Sequence, residues 1–133
     1  GHQPIVLLGG KEDAEVGESL KKALNRKDVF NACGKFNLNQ SASIMKQAEQ
    51  IITHDTGLMH IASAFNKKIV SVWGNTVPEL GMYQYVAEEN KVIVEVKNLD
   101  CRPCSKIGYS ECPKKHFDCM NKIDVVEIIN GLK

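Results

Sequence analysis

The sequence lacks a surplus of either charge. Its 17 basic and 16 acidic side chains leave a formal charge of +1, and no block of about five like charges occurs. Without a long-range field there is nothing to hold a polyanion, so nucleic-acid binding is disfavoured. Long apolar runs are also missing. None approaches the ~18 residues that a membrane span needs, and the start of the chain has no charged region leading into an apolar one. Low-complexity linkers and internal repeats are absent too. Neither G-x-G-x-x-G nor a Gly-Lys-Ser/Thr phosphate loop is present, nor a Gly-x-Ser-x-Gly elbow, which removes the common dinucleotide, P-loop and serine-hydrolase signatures. Gly1-His2 reads as a cloning remnant and is left out of the fold reading.

What is there suits one domain. A chain of 133 residues, 43% hydrophobic, can bury roughly two thirds of its unfolded surface and form a core without staples.

Short apolar runs alternate with amphipathic stretches. Strands are expected at Ile5–Leu8, closed by Gly9-Gly10, and at 29–33, 50–54, 68–73 and 91–96. Between the first two, Val16, Leu20, Ala23 and Leu24 recur at helical spacing and predict a stripe that lies on a sheet. Further helices are expected over 41–50, with Ile44, Met45 and Ala48 inward, and over 58–65, with Leu58, Ile61, Ala62 and Phe65 inward. Asp124 can cap a last helix that presents Val125, Val126, Ile129 and Leu132 to the sheet. Strand-helix alternation of this kind implies α/β architecture, a doubly wound and mostly parallel sheet. Residues at about 97–120 break the pattern and form an irregular, cysteine-containing excursion.

In such a sheet ligands lie beyond the carboxyl ends of the strands, which directs attention to three loops. The richest is His54-Asp55-Thr56-Gly57-Leu58-Met59-His60. A helix starting at Leu58 offers unpaired amides and the positive end of its dipole, Gly57 allows close approach, Thr56 and His60 add side-chain donors, and the combination suits a diphosphate. The plainer alternative is that Asp55 or Thr56 only caps the helix and His60 is a structural histidine. Glu12 and Asp13, after Gly9-Gly10, can accept from ribose hydroxyls, or be acidic residues placed for the helix dipole. Thr76, after the fourth strand, should lie beside the Asp55 loop and within reach of a phosphate.

Cys101, Cys104, Cys112 and Cys119 fall within 19 residues. They open with a C-x2-C knuckle and permit a tetrahedral zinc site, with His116 as an alternate ligand; reduced free thiols are the other possibility. Cys33 makes the count odd, which favours a reducing compartment over disulfides.

Three segments together resemble glycosyltransferase family 9, the ADP-heptose:lipopolysaccharide heptosyltransferases: Ile5-Val6-Leu7-Leu8-Gly9-Gly10, then Ile51 to Ala64 with its Asp-Thr-Gly-x-x-His-x-Ala element, then Ile69 to Thr76. The Cys-x-Pro-Cys at 101–104 and Cys119-Met120 fit the same pattern. The resemblance implies the Rossmann-like C-terminal half of a GT-B enzyme, without its first strand, over residues 1–133. That half binds the nucleotide sugar, and the acceptor, a lipid-linked saccharide, is taken by an N-terminal domain. It further implies inverting transfer from ADP-heptose with no cofactor or obligatory metal. Asp55, Thr56, Gly57, Leu58 and His60 would surround the donor, with Glu12 or Asp13 toward the ribose. The general base would belong to the N-terminal domain, so these residues alone are not expected to catalyse transfer. The implied location is cytoplasmic, peripheral to the inner membrane. A reading from another class is a non-catalytic α/β interaction module built around a zinc-stabilised cysteine loop.

Overall fold

Ile5–Leu7 (β1) and Val29–Asn31 (β2) pair in parallel, Ile5 opposite Val29 and Leu7 opposite Asn31. A second parallel ladder joins Gln50–His54 (β3), Lys68–Trp73 (β4) and Lys91–Glu95 (β5) in that order. The structure, a computed structural model, describes residues 3–133; Gly1 and His2, including their reading as a cloning remnant, lie outside the described residues. The helices are Ala14–Leu24 (α1), Leu38–Gln47 (α2), Gly57–Ala64 (α3), Asp118–Asn121 (α4) and Val125–Gly131 (α5). The expected parallel α/β class is present, with the strands in two ladders and not in one continuous sheet. The chain divides into two compact units, Gly1–Ile44 and Met45–Lys133, with the division inside α2.

In the first unit, α1 follows a 3-10 turn at Lys11–Asp13 and ends on Asn25, whose left-handed backbone (φ 46) lets its amide reach the carbonyls of Lys21 and Lys22. The expected inward stripe is not inward: Val16, Leu20 and Leu24 are 61%, 49% and 45% exposed, and the buried residue is Gly17. Gly17 sits against the side chain of Asn31. That side chain donates to Ala14 O at 3.0 Å and accepts from Cys33 N at 3.1 Å. The polar contact at the smallest residue sets the rotation of the helix, and two strands are too few to cover the apolar stripe beside it. Helix α2 begins earlier than Ser41 because Asn37 and Gln40 exchange reciprocal side-chain to amide bonds of 3.0 and 2.9 Å, a capping box built from amides.

In the second unit, β4 lies between its two neighbours and Ile69 to Trp73 are all buried, as expected of a strand covered on both faces. The one hydroxyl in this buried stretch, that of Ser71, is satisfied. It donates to Gln84 Oε1 and accepts from Trp73 Nε1, both at 2.9 Å, while Gln84 Nε2 donates to Val92 O at 3.1 Å. This closed network fixes the crossover between β4 and β5 to the sheet.

Two further core expectations are corrected. On α3 the buried positions are Met59, Ala62 and Ser63, with Leu58, Ile61 and Phe65 half-buried at the flanks. On α5, Val125, Val126 and Ile129 are exposed. The Asp124 carboxylate caps Val126 N at 2.8 Å, and in the phase this sets Ile128, Gly131 and Leu132 turn toward the sheet. Gly131 lies so close that a Cβ there would come within 2.9 Å of Val92 and 3.1 Å of Val70.

Candidate functional site at the carboxyl ends of β3 and β4

Strand β3 ends at His54, and the chain turns through Asp55 and Thr56 into α3. Thr56 is extended (φ −142, ψ 163) and its side chain accepts from Met59 N at 3.4 Å. The next two amides, Gly57 and Leu58, have no acceptor among the described residues, as helix geometry requires of a first turn. Gly57 is exposed, and a Cβ there would meet nothing within 4 Å, so the approach to these amides is open. His60 is exposed on the same turn. Its imidazole is therefore outside the core, and Thr56 both caps the helix and leaves two donors free.

Asp55 is half-buried, and its Oδ2 accepts from Thr76 Oγ1 at 3.3 Å. The expected proximity of the two loops is present, through β3–β4 pairing that brings His54 opposite Val72. Thr76 itself is buried and directs its hydroxyl at the carboxylate.

A residue that sequence reasoning missed holds this corner. Arg102, whose side chain is 5% exposed, donates Nε to Gly74 O at 2.5 Å, Nη1 to Val96 O at 2.7 Å, and Nη2 to Thr76 O at 2.9 Å and Glu95 Oε2 at 2.8 Å; the Glu95 side chain is 9% exposed. The planar, multidentate guanidinium suits this fan and an ammonium would not. Its bonds fasten the root of the excursion to the loop carrying Thr76. Cys104 N adds a bond to Asn75 O at 3.0 Å, and Asn75 Nδ2 donates to Tyr109 O at 2.8 Å. Nothing in Cys-Arg-Pro-Cys as a string marks the arginine for this work.

Of the two possibilities for the cysteines, the structure holds free thiols. Among the described residues no three His, Cys, Asp or Glu are grouped to hold a metal ion, and all five thiols are free. Three of those in the excursion have hydrogen-bond-range partners. Cys104 Sγ donates to Cys101 O at 3.4 Å, and Cys112 Sγ accepts from Phe117 N at 3.4 Å. Cys101 Sγ lies 3.8 Å from His116 Nε2, while His116 Nδ1 accepts from Asp118 N at 3.0 Å, which places the proton of a neutral ring on the nitrogen that faces Cys101. The Phe117 amide, with further amides behind it, lowers the Cys112 thiol below its ordinary range, whereas burial raises Cys104 and Cys119.

Between these walls, a cavity of about 340 Å3 opens beside Asp55, Asn75 and Thr76, with Tyr109, Glu111 and Phe117 on the excursion side. Glu12 and Asp13 belong to the first unit, where Asp13 Oδ2 accepts from Gly10 N at 2.8 Å. There the carboxylate closes its own turn.

The family model for glycosyltransferase family 9 (heptosyltransferase) matches residues 1–115. Lipooligosaccharide heptosyltransferase 2 of Haemophilus influenzae is 36% identical over 78 residues, 56% of this chain and 22% of that protein. The Campylobacter jejuni (serotype O:6) lipooligosaccharide heptosyltransferase 2 is 26% identical over 99% of this chain and 40% of its own length. The chain thus spans well under half of these curated relatives. Two solved structures share the fold. A glycosyl transferase family 9 protein from Veillonella parvula superposes with a TM-score of 0.75 at 21% identity over 97% of this chain and 35% of its own. The E. coli ADP-heptose lps heptosyltransferase II does so with 0.64 at 24% identity over 100% and 38%. With its Asp-Thr-Gly-x-x-His element in an open helix start beyond a parallel sheet, the chain belongs to glycosyltransferase family 9.

Proposed function

We propose that this chain forms the donor-binding part of an inverting heptosyltransferase of lipopolysaccharide core assembly and takes ADP-heptose. The observation that carries this reading is the pair of free amides at Gly57 and Leu58, with His60 exposed on the same turn, in a chain of this family. Two oriented N–H groups and the positive end of the α3 dipole form a seat for a diphosphate. The imidazole of His60 adds a donor from the side. As the glycosidic bond breaks, negative charge moves onto the departing ADP, and fixed donors of this kind stabilise it more in the transition state than in the ground state.

Asp55, held by Thr76, is the acceptor for a hydroxyl of the donor. The base that removes the acceptor's proton is assigned to the acceptor-binding half of the enzyme. No helix among the described residues is long and apolar enough to cross a membrane, and the reading places the protein on the cytoplasmic face of the inner membrane, where lipid-linked acceptor is met. The reading is confined to the second unit.

Titration calorimetry with ADP tests it. Saturable binding is expected, weakened roughly tenfold by His60→Ala, the loss of one hydrogen bond to a charged group. No heat up to millimolar ADP, from a chain shown to be folded, contradicts it. Cys112→Ala should leave the ADP affinity unchanged.

A further inference from the structure

The cavity beside Asp55 differs chemically from the α3 helix start. Two carboxylates, Asp55 and Glu111, line it, and no lysine or arginine does. A phosphate would meet two carboxylates there, with the His54 imidazole as the one basic group in the lining, so the anionic part of any ligand is better placed at the amides of Gly57 and Leu58. What remains compatible with the cavity is a neutral group rich in hydroxyls, which carboxylates bind through charge-assisted hydrogen bonds.

The opposite wall carries exposed aromatic rings. Tyr109 and Phe117 are 54% and 46% exposed yet line the cavity, an arrangement that leaves large apolar faces in water until something covers them. Ring C–H faces stacked on aromatics, with hydroxyls on carboxylates, is the chemistry that recognises a sugar. The volume agrees: about 340 Å3 lies at the lower end of the ~300–1,000 Å3 seen for ligand pockets, room for one sugar ring and too little for a whole nucleotide sugar.

The wall is fixed in place. Tyr109 is tied to Asn75 through its carbonyl, and Arg102 fastens the base of the excursion to Gly74 and Thr76. Gly108, at φ 78, makes the turn into Tyr109 in a left-handed conformation, and a Cβ there would collide with the Asn75 side chain. A side chain at position 108 would push the wall away.

We propose that the cysteine-bearing excursion is the sugar-binding wall of the donor site, with Tyr109 and Glu111 contacting the glycosyl ring and Asp55 accepting from one of its hydroxyls. The inference rests on the proposed donor function and adds to it the residues that choose the sugar.

Calorimetry with ADP and with ADP-heptose, on the whole 133-residue chain, tests it. The unaltered protein should bind ADP-heptose more tightly than ADP by about tenfold, the worth of one charge-assisted hydrogen bond. Tyr109→Ala and Glu111→Gln should each remove most of that difference while leaving the affinity for ADP within about twofold, a change within the spread of surface substitutions. Both positions are exposed, so neither change threatens folding. Equal affinity for the two ligands, or a difference that survives both substitutions, overturns the inference and leaves the donor reading standing. Failure of ADP to bind the unaltered chain overturns the donor reading and this inference with it.

Discussion

Thr76 Oγ1 donates to Asp55 Oδ2 across 3.3 Å, joining the loop after β4 to the loop after β3. Thr76→Val keeps the shape and removes the donor. Because the threonine is buried, the change should lower the unfolding free energy by about 1 kcal/mol, read from the urea midpoint. Thr76→Ser, which keeps the hydroxyl donor, should avoid most of that loss. A valine variant as stable as the parent would mean the bond does not hold the corner.

Arg102 and Glu95 form a buried pair with side-chain exposures of 5% and 9%. Removing one partner strands the other charge, so Arg102→Met should cost about 3–5 kcal/mol in urea unfolding. Adding Glu95→Gln should recover part of that, because the stranded charge is then gone. Arg102→Lys should not restore full stability, since one ammonium cannot reach the carbonyls of Gly74, Val96 and Thr76 together.

The Cys112 thiol is lowered by the Phe117 amide, and the Cys33 and Cys119 thiols are raised by burial. Thiolate is the reactive form. Brief alkylation with iodoacetamide followed by peptide mass spectrometry should therefore label Cys112 before Cys33 and Cys119. The Cys112 rate should reach half its maximum at a pH below that of a free cysteine, and unfolding in urea should erase the order. The sign for stability follows the same direction: a lowered folded-state value stabilises the fold above the unfolded thiol's range, and this contribution fades as pH falls through the folded-state value.

Legibility in the sequence varied with what each pattern depends on. Strands β3 and β4 were readable to the residue, β4 because an unbroken apolar run needs only to be covered on both faces. The stripes of α1 and α5 were misread, because amphipathic spacing states which face seeks cover without naming the neighbour. In the structure Gly17 against Asn31 and Gly131 against Val70 and Val92 decide the rotation instead. The start of α3 after Thr56 was legible from residue types at fixed spacing. Arg102 was not, since its acceptors at Gly74, Thr76 and Val96 are 28, 26 and 6 residues away.

The two misread helices give a paired test of that explanation. Gly131→Leu puts a side chain into a space already filled by Val92 and Val70 and should destabilise by about 1–3 kcal/mol through overpacking. Leu20→Ser falls on an exposed position and should move stability by no more than about 0.5 kcal/mol. The reverse ranking in thermal or urea unfolding would restore the stripe as the packing face.

The central claim is that the amides of Gly57 and Leu58 receive the diphosphate, and the most direct measurement is a 1H–15N spectrum of the labelled chain during titration with ADP and, separately, with adenosine. The account predicts that the Gly57 and Leu58 amide resonances shift saturably with ADP and stay in place with adenosine. ADP that leaves both resonances unmoved at millimolar concentration, while the spectrum remains that of a folded protein, would contradict it.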